Sequence, residues 1–202
     1  AADGVMDGER QAKLIARIAP QERPSRRRNA ALFGFFALYF RRYFARHMNA
    51  LRIARWGEPA LPEGAGPVVI CSNHPGWWDA AVYILAADAL FSGRENYAPI
   101  DAAMMEKYRF FGRIGAYGID LDSTRGAVDF LAASADILAR PTGTIWCAAQ
   151  GRFSDVRERP LGVKPGIARL PEIAPHAWFV PLAIDYAFWT ERGAEACIAF
   201  GP

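Results

Sequence analysis

The stretch VVICSNHPGWWDAAVYIL, residues 68–85, decides the fold of this chain. It opens with a continuous apolar run rich in β-branched side chains, which predicts a strand buried on both faces of a sheet. From Asp79 onward the residues predict a helix, with Asp79 at or near its N-cap. Pro75 and Gly76 lie between the two and allow the chain to turn. The stretch is therefore typical of a strand–turn–helix unit in an α/β protein.

Short apolar strands alternate with helices from Gly57 onward. Strands are predicted at residues 67–72, 96–100, 116–120, 143–149, 177–188 and 195–201, and helices at 79–91, 124–139 and 164–174. Residues 104–115 are predicted to be helical or turn-like. This alternation predicts an α/β fold with a largely parallel sheet flanked by helices. We divide the chain into an N-terminal basic amphipathic helical segment, residues 1–56, and an α/β domain, residues 57–202.

Composition and cysteine content limit the class of protein. With 202 residues, of which 52% are hydrophobic, the chain is long enough for one well-buried domain. The three cysteines, Cys71, Cys147 and Cys197, are odd in number and widely spaced, which argues against both a disulfide framework and a zinc site. The first residues are polar and lack the apolar run of a cleavable signal peptide. We therefore expect a reducing, cytoplasmic setting.

Charge is divided unevenly along the chain. Residues 1–56 contain 12 Lys and Arg against 4 Asp and Glu, whereas residues 57–202 contain 12 against 17. A basic, aromatic-rich segment joined to a mildly acidic body indicates an anionic surface as partner, either nucleic acid or membrane lipid.

The segment 26–46 favours lipid over nucleic acid. Arginines stand on both sides of the apolar run 30–40, whose eleven residues are too few to span a bilayer, which needs about 20. Apolar side chains at helical spacing share one side of this segment: Leu32, Phe35, Phe36, Tyr39, Phe40 and Tyr43. We predict that the helix lies in the headgroup region of a membrane. The alternative is that it packs on the domain with solvated arginines. No nucleic-acid-binding signature accompanies it.

A histidine and an aspartate stand where the predicted strand meets the predicted helix. His74 lies just past the strand, at the edge where open α/β sheets place their sites, and Asp79 follows five residues later. A carboxylate at that spacing can reach one ring nitrogen, fix the tautomer and stabilise the imidazolium. This arrangement predicts a general base held by an orienting acid. A purely structural contact and, less favoured, a metal site are the alternatives.

No side chain in the sequence stands out as a nucleophile. There is no G-x-S-x-G elbow, and Cys71 lies inside a predicted strand, where a thiol is typically inert. We therefore expect His74 to deprotonate a hydroxyl of a bound acceptor, which then attacks an activated acyl group directly.

Four motifs together resemble those of the glycerolipid acyltransferases typified by 1-acyl-glycerol-3-phosphate acyltransferase. NHPGWWD (73–79) fits their first block, in which His is followed by four residues and Asp. The other three blocks are echoed in the same order by GAYGIDLDSTRGA (115–127), by QGRFSD (150–155) with VKPGIA (163–168), and by FVPLAI (179–184). The resemblance covers roughly residues 56–190.

The resemblance implies roles for individual residues. His74 would be the general base and Asp79 its orienting partner. The substrate-binding residues would be Gln150, Gly151, Arg152, Arg125 and Lys164. The chain also departs from the family pattern. The second block expects Arg where this chain has Leu121, with Arg125 four residues later as a substitute, and the third expects Glu where it has Gln150.

The expected function is transfer of a fatty acyl group from acyl-CoA or acyl-carrier protein to the hydroxyl of a lipid acceptor. Lysophosphatidic acid is the acceptor that the resemblance implies, and Leu121 and Gln150 favour a glycosylated or amine-bearing lipid as the alternative. We expect no metal, no bound organic cofactor and no nucleic-acid partner, and a peripheral position at the cytoplasmic face of a membrane. A non-catalytic lipid-binding protein of the same fold and a soluble hydrolase are the rivals from other classes.

Overall fold

The computed structural model describes residues 2–202, with side chains from residue 8 onward. Its strands are β1 (Met48–Ile53), β2 (Val68–Ser72), β3 (Glu95–Asp101), β4 (Ala116–Ile119), β5 (Gly143–Ala148), β6 (Trp178–Ala187) and β7 (Ala194–Phe200). Its α-helices are α1 (Ala2–Ile15), α2 (Pro24–Arg27), α3 (Ala30–His47), α4 (Asp79–Leu90), α5 (Ala102–Lys107), α6 (Thr124–Leu138), α7 (Pro165–Ala168) and α8 (Leu170–Ile173). Short 3₁₀ helices cover Pro20–Glu22 and Arg109–Ile114.

The strands form one seven-stranded sheet in the order β1-β7-β6-β2-β5-β3-β4. Every neighbouring pair is parallel except β6 and β7, which are joined as an antiparallel pair. The predicted α/β class, with its largely parallel sheet, is therefore confirmed. Because β2 to β6 run in one direction, their carboxyl ends meet at one edge of the sheet, and β2 lies between β5 and β6 at that edge.

Two apolar cores cover the two faces of the sheet. Alternate side chains of a strand point to opposite faces, so Val68 and Ile70 enter one core while Val69 enters the other. All three are fully buried. The first core also contains side chains of α3 and α4, and the second contains side chains of α6 and α8. Cover on both faces explains why β2 is apolar at consecutive positions.

The helix α3 packs on the first core with one of its faces and leaves another exposed. Ala37 and Phe44 are buried, and Phe40, which the sequence pattern puts on the lipid-facing side, packs against the same core. Phe35 and Tyr39 remain 64% and 50% exposed. None of the described helices is long and apolar enough to cross a membrane.

Two predicted elements differ from the structure. Met48–Ile53, inside the segment predicted as helical, form strand β1 parallel to β7, so the sheet begins before residue 57. Residue 1 of that segment lies outside the described residues. Residues 164–174, predicted as one helix, form the two single-turn helices α7 and α8. The break precedes Pro171, which has no N–H to continue a helix and clashes with the preceding turn.

Candidate functional site

The candidate site lies at the carboxyl edge of the sheet, where three adjacent strands supply its residues. His74 follows β2, Gln150 follows β5, and Tyr186 is next to last in β6. These strands are neighbours in the sheet, so residues far apart in sequence meet at one point. Open α/β sheets place ligand sites at this edge.

The predicted pair of His74 and Asp79 is formed. The Nδ1 of His74 donates to Oδ2 of Asp79 over 2.5 Å. The carboxylate side chain is 1% exposed and the imidazole 23% exposed. Asp79 is the first residue of α4, next to the predicted N-cap position, yet its side chain does not cap the helix. It holds the imidazole in the tautomer that leaves Nε2 as an acceptor, and none of the described residues hydrogen-bonds Nε2.

A tyrosine completes the surroundings of the carboxylate. The hydroxyl of Tyr186 donates to Oδ1 of Asp79 over 2.5 Å, so both carboxylate oxygens are engaged. The backbone N–H of Gly76 also approaches Oδ2, at 3.3 Å. Burial, and then the charge of Asp79, raise the pKa of Tyr186 well above its usual range. The phenol therefore stays protonated and serves as a donor at neutral pH.

The backbone of His74 is held by the loop that follows β5. Its N–H donates to Oε1 of Gln150 over 2.9 Å, and its carbonyl accepts from the N–H of Ser154 over 2.9 Å. The ring of Phe153 packs on the imidazole, with ring centroids 4.5 Å apart. Gln150 is only 3% exposed, and its buried amide oxygen accepts the hydrogen bond from the backbone N–H of His74. The loop fixes the main chain of the histidine while Asp79 fixes the ring.

Asn73 ends the pairing between β2 and β6. Its Oδ1 accepts from the N–H of Ile184 and its Nδ2 donates to the carbonyl of Ile184, both over 2.8 Å. The last backbone pair of the two strands is Ser72 with Leu182. The side-chain amide of Asn73 thus replaces the next peptide of β2, and the main chain can leave the sheet to carry His74 to the edge.

A cavity of about 700 Å³ adjoins the pair. Three of its lining residues touch or flank the pair: Pro75, Phe153 and Tyr186. Its charged groups are Asp155, Arg157 and Asp185. The guanidinium of Arg157 donates to both carboxylate oxygens of Asp155, over 2.9 and 2.7 Å, and holds the pKa of that carboxyl below its usual range. Among the described residues, no arginine or lysine side chain donates a hydrogen bond to the carboxylate of Asp185.

The predicted glycine and lysine of the substrate-binding set lie together. Gly151 has a φ of +62°, and a Cβ there would come within 3.1 Å of Cε of Lys164, so the turn requires glycine. The N–H of Lys164 donates to the carbonyl of Ala149 over 2.9 Å. Its ammonium lies 4.0 Å from a carboxylate oxygen of Asp122, on the loop before α6.

The two predicted arginines are placed differently from each other. Arg152 follows Gly151 and pairs with Glu158 within the same loop, with its side chain 56% exposed. Arg125 is in α6, its side chain is 92% exposed, and its nearest acid is Asp129 at 3.9 Å. It follows β4, the third strand from β2, which corresponds to roughly 14 Å at the usual strand spacing. The structure therefore brings Gln150, and not Arg125, against His74.

The cysteines and the possible metal ligands complete the description of the site. All three cysteines are free thiols. Burial raises the pKa of Cys71 to about 11, so the thiol stays protonated at neutral pH, as expected for a core residue. No group of three or more His, Cys, Asp or Glu side chains in the described part of the chain is arranged to hold a metal ion.

Several residues around the pair are not singled out by the sequence patterns. Asp185 and Tyr186 lie near the carboxyl end of the apolar strand β6, much as His74 lies just past the carboxyl end of β2. Polar residues at that end of a strand indicate a functional site, so this pattern could have identified them. Phe153, Asp155 and Arg157 lie in an irregular loop, and no periodicity points to them. Their place beside His74 follows from the hydrogen bond between Ser154 and the histidine carbonyl.

No protein-family model matches the chain, and no curated protein or solved structure matches it either. The resemblance to glycerolipid acyltransferases therefore rests on the motifs themselves.

Proposed function

We propose that the protein is an acyltransferase that moves a fatty acyl group from an acyl thioester, acyl-CoA or acyl-carrier protein, to the hydroxyl of a lipid acceptor. The observation that carries the proposal is the 2.5 Å contact between His74 and the buried Asp79, beside a cavity of about 700 Å³. Nε2 remains available as the proton acceptor. The resemblance of four ordered motifs to the glycerolipid acyltransferases supports the choice of reaction.

The proposed reaction needs one base and no covalent enzyme intermediate. Nε2 of His74 takes the proton of the acceptor hydroxyl, and the oxygen attacks the thioester carbonyl carbon. The carbon–sulfur bond then breaks, and the leaving thiolate takes the proton back from the imidazolium. Asp79 stabilises the imidazolium between the two steps. The products are an ester and a free thiol in equal amounts.

Lysophosphatidic acid is the acceptor that the family resemblance implies, and one observation favours a second candidate. The cavity carries two carboxylates, Asp155 and Asp185, against the single guanidinium of Arg157. Gln150 stands where the family has Glu, and its side chain accepts a hydrogen bond from the backbone of His74. Arg152 forms an ion pair with Glu158. Carboxylates accept hydrogen bonds from hydroxyl and ammonium groups and repel phosphate. A lipid with a sugar or amine head group is therefore the second candidate.

The proposed partner is an anionic membrane surface on the cytoplasmic side, which the protein meets as a peripheral protein. Phe35, Leu38 and Tyr39 are exposed on α3. The same helix carries arginines near its end, and residues 1–56 have a net charge of +8. Exposed aromatic side chains among arginines are the composition of helices that lie in the headgroup region.

Release of free thiol from a panel of acyl-CoA and acyl-carrier-protein donors, with and without lipid acceptors, tests the proposal. We expect release that requires an acceptor and falls about 100-fold or more in His74→Ala. The matched control is His176→Ala, since His176 is exposed and lies outside the site. Release without an acceptor would instead indicate a hydrolase. A folded protein that releases no thiol in the presence of liposomes would indicate a lipid-binding protein.

A further inference from the structure

Asp79 is the most enclosed charged group of the candidate site. Its side chain is 1% exposed, and a buried carboxylate is costly unless each oxygen has a partner. One oxygen receives His74 Nδ1 and the other receives the hydroxyl of Tyr186, each over 2.5 Å. The two donors come from different parts of the chain, since Tyr186 follows Asp79 by 107 residues. The carboxylate is therefore fixed from both sides.

We propose that Tyr186 is a positioning residue whose hydroxyl holds the Asp79 carboxylate in the orientation that directs Nε2 of His74 to the acceptor. The role rests on the proposed function only in that His74 is the base. Tyr186 acts through Asp79 and need not touch the reacting atoms. Because burial and the Asp79 charge raise its pKa, the phenol remains a hydrogen-bond donor at neutral pH.

Loss of the hydroxyl has a predictable effect on the hydrogen bond between His74 and Asp79. Without the Tyr186 O–H, the Asp79 carboxylate has one donor fewer and accepts more strongly from Nδ1 of His74. The proton on Nδ1 reports the strength of this bond, and its NMR resonance should move downfield. Among the described residues, the other charged or titratable groups around the pair are Tyr83 on α4, Asp185 on β6, and Asp155 and Arg157 in the loop after β5.

The test compares Tyr186→Phe with Tyr83→Phe in the full chain. Tyr83 is also buried, and its hydroxyl is bonded to Ser72 instead of Asp79, so its variant loses a comparable hydrogen bond outside the pair. The resonance of the His74 Nδ1 proton is read by proton NMR, with His47 and His176 as internal references. We expect it to shift in Tyr186→Phe only, because only this variant removes a donor from Asp79. Turnover should fall about tenfold at neutral pH with the donor KM unchanged.

The NMR reading does not depend on any activity. A shifted His74 Nδ1 resonance in a protein that releases no thiol would support the role of Tyr186 and overturn only the proposed function. An unchanged resonance in Tyr186→Phe, or an equal change in Tyr83→Phe, would overturn the inference. The wild type gives a second test that needs no variant. Tyr186 should remain protonated past pH 10, and ionisation near the ordinary tyrosine pKa of about 10 would also overturn it.

Discussion

At the scale of single residues, His74 is fixed by separate groups at its ring and at its backbone. Asp79 binds the ring, whereas Gln150 and Ser154 bind the main-chain N–H and carbonyl. Gln150 stands where the resemblance implies an acceptor-binding glutamate, but its amide oxygen is buried and engaged. Its place favours a role in holding the histidine over a role in contacting the acceptor.

Replacement of Gln150 by leucine separates these two roles. The N–H of His74 would lose its only described acceptor, and an unpaired buried donor costs about 1 to 3 kcal/mol. We expect urea unfolding to show a loss of free energy of unfolding of that size. Thiol release should fall through kcat. Gln150→Glu, which keeps an acceptor oxygen, is the control. Unchanged stability together with a raised KM for the acceptor would assign Gln150 to the acceptor head group.

At the scale of the elements, the site depends on β2 ending sooner than β6. β6 has ten residues and β2 five, and β6 continues past the last backbone pair at Leu182. The side chain of Asn73 bridges this point through two hydrogen bonds to Ile184. Without them the β6 backbone would have an unpaired N–H and carbonyl at the position where the chain turns toward His74.

Asn73→Ala should therefore destabilise the protein by about 1 to 3 kcal/mol, since it leaves polar groups of Ile184 without partners. Thermal unfolding measures this loss. Asn49→Ala is the matched control, because Asn49 makes one exposed hydrogen bond to the carbonyl of Gly193. The control should change stability by no more than about 0.5 kcal/mol. Equal stability of the two variants would contradict the bridging role.

The elements that the sequence predicts well are those with strong local signals. The apolar run of β2 and the helix α6, predicted at residues 124–139, need only local residues to be recognised. In the structure the Oγ of Ser123 caps α6 by accepting from the N–H of Gly126. The edge strand β1 is missed because its half-buried side chains give a weak pattern next to a strongly helical segment. The hydrogen bond between His74 and Gln150 joins residues that are 76 positions apart in the sequence, and only the order of strands in the sheet brings them together.

The same distinction applies to the candidate site. The spacing of His74 and Asp79 predicts their contact because a single turn separates them. Tyr186 and the cavity carboxylate Asp185 reach that point through the pairing of β6 with β2, which spacing along the chain does not reveal. Arg125 matches the motif in sequence but lies near the third strand from β2. The role that the resemblance implies for Arg125 is therefore the least supported, because Arg125 follows the edge strand β4.

At the scale of the whole molecule, the basic N-terminal part of the chain also carries exposed aromatic side chains on α3. The first 56 residues are basic and the body is mildly acidic. Exposed side chains of α3 belong to the basic part. A membrane surface with anionic lipid would meet this part of the molecule first, because opposite charge steers the approach and aromatic burial then holds it.

Vesicle sedimentation tests this orientation. Replacement of both Phe35 and Tyr39 by serine should weaken binding to anionic vesicles about tenfold or more, because it removes apolar area from the contact. Stability should change little, since both side chains are exposed. The control is Phe188→Ser, which removes an aromatic side chain that is 71% exposed and lies outside residues 1–56. Wild-type binding by the double variant would contradict the membrane contact.

The central claim is that His74 deprotonates an acceptor that then takes the acyl group. The most direct measurement counts thiol released and acylated lipid formed in the same reaction, for the wild type, His74→Ala and His176→Ala. The account predicts one ester for each thiol in the wild type and in His176→Ala, with both products reduced about 100-fold or more in His74→Ala. Thiol without ester, or full ester formation by His74→Ala, would contradict it.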